Sequence, residues 1–456
     1  MIATTLPSPG VIAAGALAAL MVIAALALVM RRHPQAFPVL AVLALPFRLP
    51  ISTDGRTVNL LLPLYAVVAA GTLAHLVPRL LPHSGTPHGG GQAGGRRGAY
   101  RSGRPLMALD WLLGVAVVLY VLQASYSTDL SKAAQNIAFF YVPFGLLYVL
   151  MREAPWTPRL VGRCFGVAVA LAVLFVGVGF VEYYRKALFL NPKVVASDEF
   201  GNYFRVNSLF FDPSIYGRFL ALVMIAATTA VLWGRARREQ LIGAAILAWL
   251  LAGLVTSFSQ SSIAALLLGL AVLAAWRWDV RGTVYVSVAL VAVAGVVVLA
   301  APASLHFGLT GAGGSASNAT SGRTKLISGG LDLFVARPLQ GYGSGSFETE
   351  YKRRRRASAA SAANATSASH TIPITVAAEQ GVVGLALYVA LIVVALLTLF
   401  RGAGRSPPRI AIAACFAALV LHTWVYADFL EDPVTWTLLG IGVALGTLAE
   451  SACAST

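Results

Sequence analysis

Residues 373–400, PITVAAEQGVVGLALYVALIVVALLTLF, contain a single charged side chain, Glu379. A transmembrane helix needs about 20 mostly apolar residues to cross a hydrocarbon core of ~30 Å, and this stretch is longer than that. Further apolar blocks of roughly 17 to 25 residues, the length that crosses a bilayer, recur along the chain. The sequence therefore predicts an all-α polytopic membrane protein.

The overall composition agrees with this class. Of the 456 residues, 58% are hydrophobic and only 11% are charged, and the mean hydropathy is +0.76. Soluble domains carry about 25% charged residues. The net charge of +16 does not indicate nucleic acid, because most basic residues lie in short segments between apolar blocks, where they set topology. Cys164, Cys415 and Cys453 show neither metal-ligand spacing nor a disulfide framework, and we expect no cofactor and no metal.

We expect 12 or 13 transmembrane helices. The second block is short and interrupted by Pro46 and Pro50, so it is either a re-entrant or a broken helix. The first block is too long for the core of a signal peptide and is interpreted as a span. The predicted spans are 10–30, 36–50, 57–77, 107–122, 132–150, 161–182, 214–233, 241–257, 260–276, 283–302, 373–400, 409–427 and 434–449.

Arginine clusters alternate along the chain and predict its orientation, because cytoplasmic loops carry an excess of Lys and Arg. The Gly/His/Arg-rich linker 83–104 is then cytoplasmic, and the long loop 303–372 lies outside. We divide the chain into a bundle with the first ten spans (1–302), an extracytoplasmic loop with short amphipathic helices (303–372), and C-terminal transmembrane helices (373–450). In that loop Leu326, Ile327, Gly330, Leu331 and Phe334 recur at helical spacing.

His370 stands immediately before the stretch quoted first. Thr371 as a helix cap and Pro373 in the first turn are typical start signals. The positive end of the helix dipole keeps an imidazole neutral, which is the form a general base needs, and it also attracts anions such as phosphate. His370 is thus a candidate catalytic residue. The alternative is an interfacial histidine that only anchors the helix.

Glu379 lies further along the same helix, about 13 Å deeper at ~1.5 Å per residue, so it cannot orient His370 directly. Carboxylates inside membranes usually pair with a cation. Arg218, near the start of the span after Asp212-Pro213, is a candidate partner. Glu379 has either a role in substrate binding or a structural role between helices.

Arginines on the predicted outer side form a second group: Arg205, Arg218, Arg323 and the run 353–356. Guanidinium groups bind phosphate oxygens in a bidentate manner. Arg323 follows Gly322 at the start of the amphipathic helix, where it can present both its side chain and free backbone N–H groups to an anion. The four consecutive arginines spread around a helix and are less specific.

Three polar turns are further candidates. GYGSGSF (341–347), which contains Tyr342, lacks the GK[ST] ending of a nucleotide-binding loop and is interpreted as a tight turn with an anion-binding nest of amides. TSFSQSS (256–262), with Gln260, either binds sugar hydroxyls or caps two helix ends. The acidic group Asp428, Glu431 and Asp432 lacks the histidine or second cluster that would favour a metal site.

Four stretches together resemble the O-antigen ligase and polymerase superfamily of bacterial membrane glycosyltransferases. They are RVNSLFFDPSIYGRFLAL (205–222), LVTSFSQSSIAALLL (254–268), SGRTKLISGGLDLFVARPLQGYGSGSF (321–347) and SHTIPITVAAEQGVVGLALY (369–388). Two positions depart from the family's pattern: Gln260 stands where the family usually has arginine, and Thr371 where it often has asparagine.

The resemblance implies a metal-independent, inverting glycosyl transfer on the extracytoplasmic side of the bacterial plasma membrane. The donor would be an oligosaccharide on a polyprenyl diphosphate, and the acceptor a hydroxyl of a glycan, lipid, protein or wall polymer. His370 would be the general base. Arg323, with Arg205 or Arg218, would hold the diphosphate, and Gln260, Tyr342 and Glu379 would complete the substrate-binding set. Membrane lipids, and no nucleic acid, are the other expected partners.

Three alternatives stay open, the last of which is a non-catalytic assembly protein that would tolerate loss of His370. Within the enzyme class, a polymerase would extend a lipid-linked chain and a ligase would transfer it to a different acceptor. From another class, a transporter or flippase for a lipid-linked or anionic solute is possible in principle, but it should show internal repeats and polar residues at mid-membrane. The sequence shows no repeat, and its polar residues cluster towards one face.

Overall fold

The computed structural model describes residues 9–53, 56–80, 107–190, 204–278, 281–282, 285, 315–357 and 371–454. These residues are mainly helical, which confirms the predicted membrane-helical fold class. Three predicted features lie outside the described residues. They are the linker 83–104, nearly all of the span 283–302, and residues 358–370 of the long loop, which include His370.

The described residues of the first half of the chain form eight helices, two of which continue through a π-helical turn into the next. They are α1 (Pro9–Arg32), α2 (Ala36–Ala44), α3 (Leu62–Gly71), joined through Thr72–Leu76 to α4 (Val77–Leu80), α5 (Ala108–Ala124), α6 (Leu130–Asn136), joined through Ile137–Tyr141 to α7 (Val142–Glu153), and α8 (Pro158–Arg185).

Eight further helices follow. They are α9 (Pro213–Trp233), α10 (Arg237–Thr256), α11 (Gln260–Arg277), α12 (Ser315–Ala336), α13 (Phe347–Ala357), α14 (Ile372–Phe400), α15 (Pro407–Val425) and α16 (Pro433–Ala454), with a short 3₁₀ turn at Ala403–Arg405.

Nine helical segments among the described residues are long and apolar enough to cross a membrane. α5 and the Pro433–Leu448 part of α16 are apolar but shorter. In α9 and α15, 61% of the most apolar window is buried inside the protein, against 11% in α1. α9 and α15 therefore form the centre of the bundle, while most of α1 is left to face lipid.

A β-hairpin replaces part of the predicted second and third spans. α2 ends at Ala44, and the strands Leu49–Thr53 and Arg56–Leu60 pair in antiparallel fashion, so that the third span starts only at Leu62. The predicted end of the span 36–50 and the predicted start of the span 57–77 were therefore wrong. Pro46 and Pro50 lack a backbone N–H and do not continue a helix, and the Asp54-Gly55 pair is the strongest short hairpin signal in a sequence.

The amphipathic part of α12 lies against the start of α14. Leu326, Gly330 and Leu333 are buried, at the spacing of one helix face, and Gly330 lies close to Ile374. Leu331, which belongs to the predicted apolar set, is 45% exposed. It lies about 100° around the helix from Gly330, at the edge of the buried face.

Polar contacts collect at two separate ends of the bundle. One end holds the pairs Asn136–Glu431, Arg218–Asp432 and Ser262–Ser214. The other holds Arg79–Glu153, Arg152–Asp110 and Arg409–Arg401. The two ends correspond to the two sets of loops that the arginine pattern assigns to the outer and the inner side. The assignment of the first end to the outer side stays a prediction.

Candidate active site

α14, the helix that follows His370, is broken in the middle. It begins at Ile372 with Pro373 in its first turn, as predicted, and Gly381 within it has a φ of 66°. Thr371 occupies the N-cap position in an extended conformation, but its side chain does not accept the expected capping hydrogen bond. The break interrupts the helical hydrogen bonding and frees backbone groups in the middle of an apolar segment.

The glycine-rich turn 338–345 satisfies those freed groups. The amide of Val382 donates to Pro338 O at 2.7 Å, and the amide of Gly343 donates to Glu379 O at 2.8 Å. A Cβ atom on Gly341 would collide with the carbonyl of Glu379, and one on Gly381 with the carbonyl of Leu339. Both glycines also have positive φ, so the crossing of loop and helix requires glycine at both positions.

The side chain of Glu379 fixes the same turn. Its two oxygens accept hydrogen bonds from the amides of Gly345 at 2.9 Å and Phe347 at 3.0 Å, the latter at the start of α13. The predicted nest of amides in GYGSGSF therefore binds the carboxyl group of Glu379. The prediction that Glu379 pairs with Arg218 was wrong, because the guanidinium of Arg218 pairs with Asp432 instead.

A cavity of about 90 Å³, lined by both polar and apolar side chains, lies beside this turn, with room for several water molecules. α14 contributes Ile372, Thr375, Val376 and Glu379 to its wall, followed by residues as far as Leu391. The polar side chains from other elements come from α5, from α6 with the π-helical turn after it, from the start of α13, and from the loop before α16: Tyr120, Lys132, Asn136, Tyr141, Glu348, Asp428 and Glu431. The first two turns of the helix after His370 thus form one side of a polar cavity.

Asn136 joins two sides of the cavity. Its Nδ2 donates to the hydroxyl of Tyr120 at 2.8 Å and to Oε1 of Glu431 at 2.9 Å. The ring of Tyr120 stacks on Tyr141, with centroids 4.1 Å apart. Sequence analysis missed Asn136 and the two tyrosines, because the contact of Asn136 with Glu431 spans 295 positions of the chain. The π-helical turn that begins after Asn136 is not marked by any sequence signal that we recognise.

Glu431 is one of the acidic groups of the cavity that lie outside the membrane-spanning helices. Burial, and secondarily the neighbouring charge of Asp428, raises the pKa of Glu431 from 4.5 to about 7, while Lys132 and Arg48 act in the opposite direction. Its carboxyl group therefore changes charge near neutral pH. No group of His, Cys, Asp and Glu residues suited to a metal occurs among the described residues, and the expectation that the 428–432 loop holds no metal stays a prediction.

A more basic region lies on the other side of the 428–432 loop. Nη2 of Arg218 is 2.8 Å from Oδ2 of Asp432, and both side chains are buried. Nη1 of Arg218 is also buried and has no hydrogen-bond partner within the described ranges. A small cavity of about 20 Å³ separates this pair from Arg48, a residue that the sequence analysis did not single out.

The remaining predicted site residues are Arg205, Arg323 and Tyr342. Arg205 is half-buried, and its Nε donates to Ser257 O at 3.4 Å, so it lies beside the serine-rich turn. The backbone of Arg323 belongs to α12, but its side chain is outside the described residues. Tyr342 is half-buried under the guanidinium of Arg337, 4.5 Å from the ring centroid, and its amide donates to Ala378 O.

The serine-rich turn mainly caps a helix. Oγ of Ser259 accepts from the amide of Ser262 at the start of α11, whereas Gln260 is exposed. Nε2 of His422 in α15 lies 3.2 Å from Oγ of Ser261 and 3.3 Å from Oγ of Ser262. The turn therefore forms part of a buried polar cluster, and a contact of Gln260 with substrate stays a prediction.

These features define a class: a polytopic helical membrane protein with a polar cavity at one end, walled by a broken helix and a glycine-rich turn. Residues 244–389 match the family model described as O-antigen ligase. The match confirms the family resemblance inferred from the motifs, and it supports glycosyltransferase activity of the O-antigen ligase type. No curated protein matches the chain significantly.

The matched segment covers most of the site residues that were predicted from the sequence. It runs from α10 to the middle of α14 and includes Gln260, Arg323, Tyr342, His370 and Glu379. Arg205 and Arg218 precede it, and Asn136 and Glu431 lie on either side of it. The cavity is thus built from the matched segment together with residues that the family model does not reach.

Proposed function

We propose that the protein transfers a glycan from a polyprenyl-diphosphate-linked donor to an acceptor hydroxyl, on the extracytoplasmic side of the bacterial plasma membrane. The observation that carries this proposal is the position of α14. This helix begins just after His370, belongs to the O-antigen ligase match as far as residue 389, and lines the cavity from Ile372 to Leu391. A hydroxyl-bearing substrate in the cavity would therefore lie near the start of α14.

In the proposed reaction, His370 takes the proton of the acceptor hydroxyl as its oxygen attacks the anomeric carbon. The bond from that carbon to the diphosphate oxygen breaks, and the leaving electron pair stays on the diphosphate. Attack from the side opposite the leaving group inverts the anomeric configuration. Arg323, with Arg205 or Arg218, would stabilise the charge that develops on the leaving group. Neither a metal nor a nucleotide has a part in these steps.

The arrangement of polar groups favours this proposal over a transporter. Transporter sites lie near the bilayer midplane between repeated halves. Here most polar groups of the cavity lie where the end of α5, α6 with the turn after it, the first turns of α14 and the loop before α16 meet, although the wall continues along α14 as far as Leu391. Enzymes that join two amphipathic substrates at a membrane surface need a site at such a position.

The test is reconstitution. Purified protein in nanodiscs, supplied with a lipid-linked oligosaccharide and candidate acceptors, should form a glycosidic bond of inverted configuration, and a chelator should not affect the rate. Product with a second lipid-linked unit as acceptor indicates a polymerase, and product only with a different acceptor indicates a ligase. Movement of the lipid-linked donor across proteoliposomes without any new bond would overturn the proposal.

Sidedness has a separate test. After replacement of the three natural cysteines, single cysteines at positions 90 and 360 should respond oppositely to an impermeant thiol reagent in intact cells. We expect labelling at 360 and protection at 90. The reverse pattern would place the cavity on the cytoplasmic side and contradict the proposed donor chemistry.

A further inference from the structure

We propose that the cavity formed by α5, α6 and α14 binds the sugar unit that carries the acceptor hydroxyl, with Asn136, Tyr120 and Glu431 as its hydrogen-bonding groups. The inference rests on the proposed function and extends it, because it assigns one of the two substrates to a particular part of the protein. The residues involved lie outside the segment matched by the family model.

The charge of the cavity wall disfavours the diphosphate as its occupant. Four acidic side chains line the cavity against one ammonium group of the wall, that of Lys132, and no arginine is part of the wall. The acidic side chains are Glu348, which pairs with Lys352 beside the cavity, Glu379, Asp428 and Glu431. A diphosphate would be repelled from such a wall, since like charges at close range disfavour each other. A neutral, hydroxyl-rich molecule meets no such repulsion and finds many hydrogen-bond acceptors.

One buried acceptor in the wall has no partner. Both hydrogens of the Asn136 amide group are directed to Tyr120 and Glu431, which leaves Oδ1 to accept a hydrogen bond. The side chain is only 2% exposed, and Oδ1 has no hydrogen-bond partner within the residues that the structure describes. A buried acceptor without a donor is unfavourable. A sugar hydroxyl would supply the missing donor.

The backbone holds Asn136 in place before any substrate binds. Asn136 ends α6 and is followed directly by the π-helical turn Ile137–Tyr141, a feature that is frequent at functional sites. The start of α6 is fixed by Asp129, which accepts from the amide of Lys132 at 3.0 Å and from the hydroxyl of Thr349 in α13 at 2.8 Å. Preorganised polar groups of this kind reduce the entropy lost on binding.

The position of the cavity assigns it to the acceptor. Its wall includes Ile372, Thr375 and Val376, the first residues of the helix that follows the proposed general base. The ion pair of Arg218 and Asp432 lies on the other side of the 428–432 loop. Nη1 of Arg218 has no hydrogen-bond partner among the described residues. An acceptor hydroxyl on the acidic side and a diphosphate on the basic side would approach the reaction centre from two directions.

The test measures donor and acceptor separately in the reconstituted, full-length protein. Asn136→Ala and the nearly isosteric Glu431→Gln should each raise the KM for the acceptor about tenfold, the effect of losing one hydrogen bond of about 1.4 kcal/mol. Donor affinity, measured with the lipid-linked oligosaccharide alone, should stay within about twofold of wild type. Gln123→Ala is the matched control, because Gln123 is a buried amide in α5, one turn after Tyr120, and does not line the cavity.

Each outcome bears on one claim. A wild-type protein that forms no product refutes the proposed function itself. If the wild type is active but a folded Glu431→Gln variant keeps its acceptor KM, the acceptor site is wrong. Loss of donor affinity with an unchanged acceptor KM would assign the cavity to the donor's sugar and overturn the inference as well. Melting temperature and gel filtration establish folding, and Glu431→Gln serves if Asn136→Ala does not fold.

Discussion

Arg218 and Asp432 form an ion pair inside the bundle, with 2.8 Å between Nη2 and Oδ2 and with side chains that are 3% and 2% exposed. The pair joins the second turn of α9 to the loop before α16. Removing one member of such a pair leaves the other charged and buried, which typically costs about 3–5 kcal/mol, whereas replacing both by apolar residues is often neutral.

This difference separates a structural role of Arg218 from a role in binding. Arg218→Met should lower the melting temperature in detergent, and the double variant Arg218→Met/Asp432→Leu should recover most of that loss. If Nη1 of Arg218 also contacts the diphosphate, the double variant should be stable but bind the lipid-linked donor at least tenfold more weakly. A stable double variant with wild-type donor affinity would show that the pair is structural only.

The crossing of the glycine-rich turn over α14 predicts a second stability effect. Gly341→Ala and Gly381→Ala should each destabilise the protein by about 1–3 kcal/mol from the backbone conformation alone, and the close approach of the two carbonyls adds to it. Thermal unfolding measures the loss of stability in each variant, and proteolysis of the glycine-rich turn 338–345 measures the local effect. Gly114→Ala in α5 is the matched control: a Cβ there meets no atom within 4 Å, and it should stabilise the helix by about 0.5–1 kcal/mol.

The sequence predicts these elements unevenly, for physical reasons. The apolar blocks specify spans such as α9 and α15 because the bilayer demands length and hydrophobicity, both of which are local properties. The hairpin at 49–60 was missed because proline-broken apolar residues satisfy a span pattern as well as a strand pattern. The partners of Glu379 and Asn136 were missed because they lie 32 and 295 positions away and are set by packing.

Glu431 predicts a dependence of stability on pH. Its pKa is raised to about 7 in the folded protein from an ordinary value of 4.5, so the folded state binds a proton that the unfolded state releases between these values. The contribution to stability is therefore fully present below about pH 4.5 and is lost as the pH rises through 7. The melting temperature should fall between pH 5 and pH 8, and Glu431→Gln should make this slope shallower. An identical slope in the variant would mean that Glu431 is already charged at pH 5.

Arg323 is predicted to hold the diphosphate through two parallel hydrogen bonds. Arg323→Lys keeps the charge but not the planar fork, so it should lose much of the activity, and Arg323→Ala should lose more. Glycan formation and donor affinity are the measurements. Arg353→Ala is the matched control, since this arginine belongs to the same loop segment and its side chain is 79% exposed. If Arg323→Lys and Arg323→Ala both retain wild-type activity, Arg323 is not in the site.

His370 provides the last and most direct prediction. A positioned general base typically accelerates a reaction 10² to 10⁴-fold, so His370→Ala should remove about 3–5 kcal/mol of transition-state stabilisation. His370→Gln, which retains hydrogen bonding but does not take up the proton, should be nearly as inactive. Both variants should still bind the lipid-linked donor, because that interaction is assigned to the arginines. His33→Ala, at the opposite end of the bundle and exposed, should behave like the wild type. Turnover of His370→Ala within about threefold of wild type would make this histidine an anchor for α14, since a lost general base costs at least about a hundredfold.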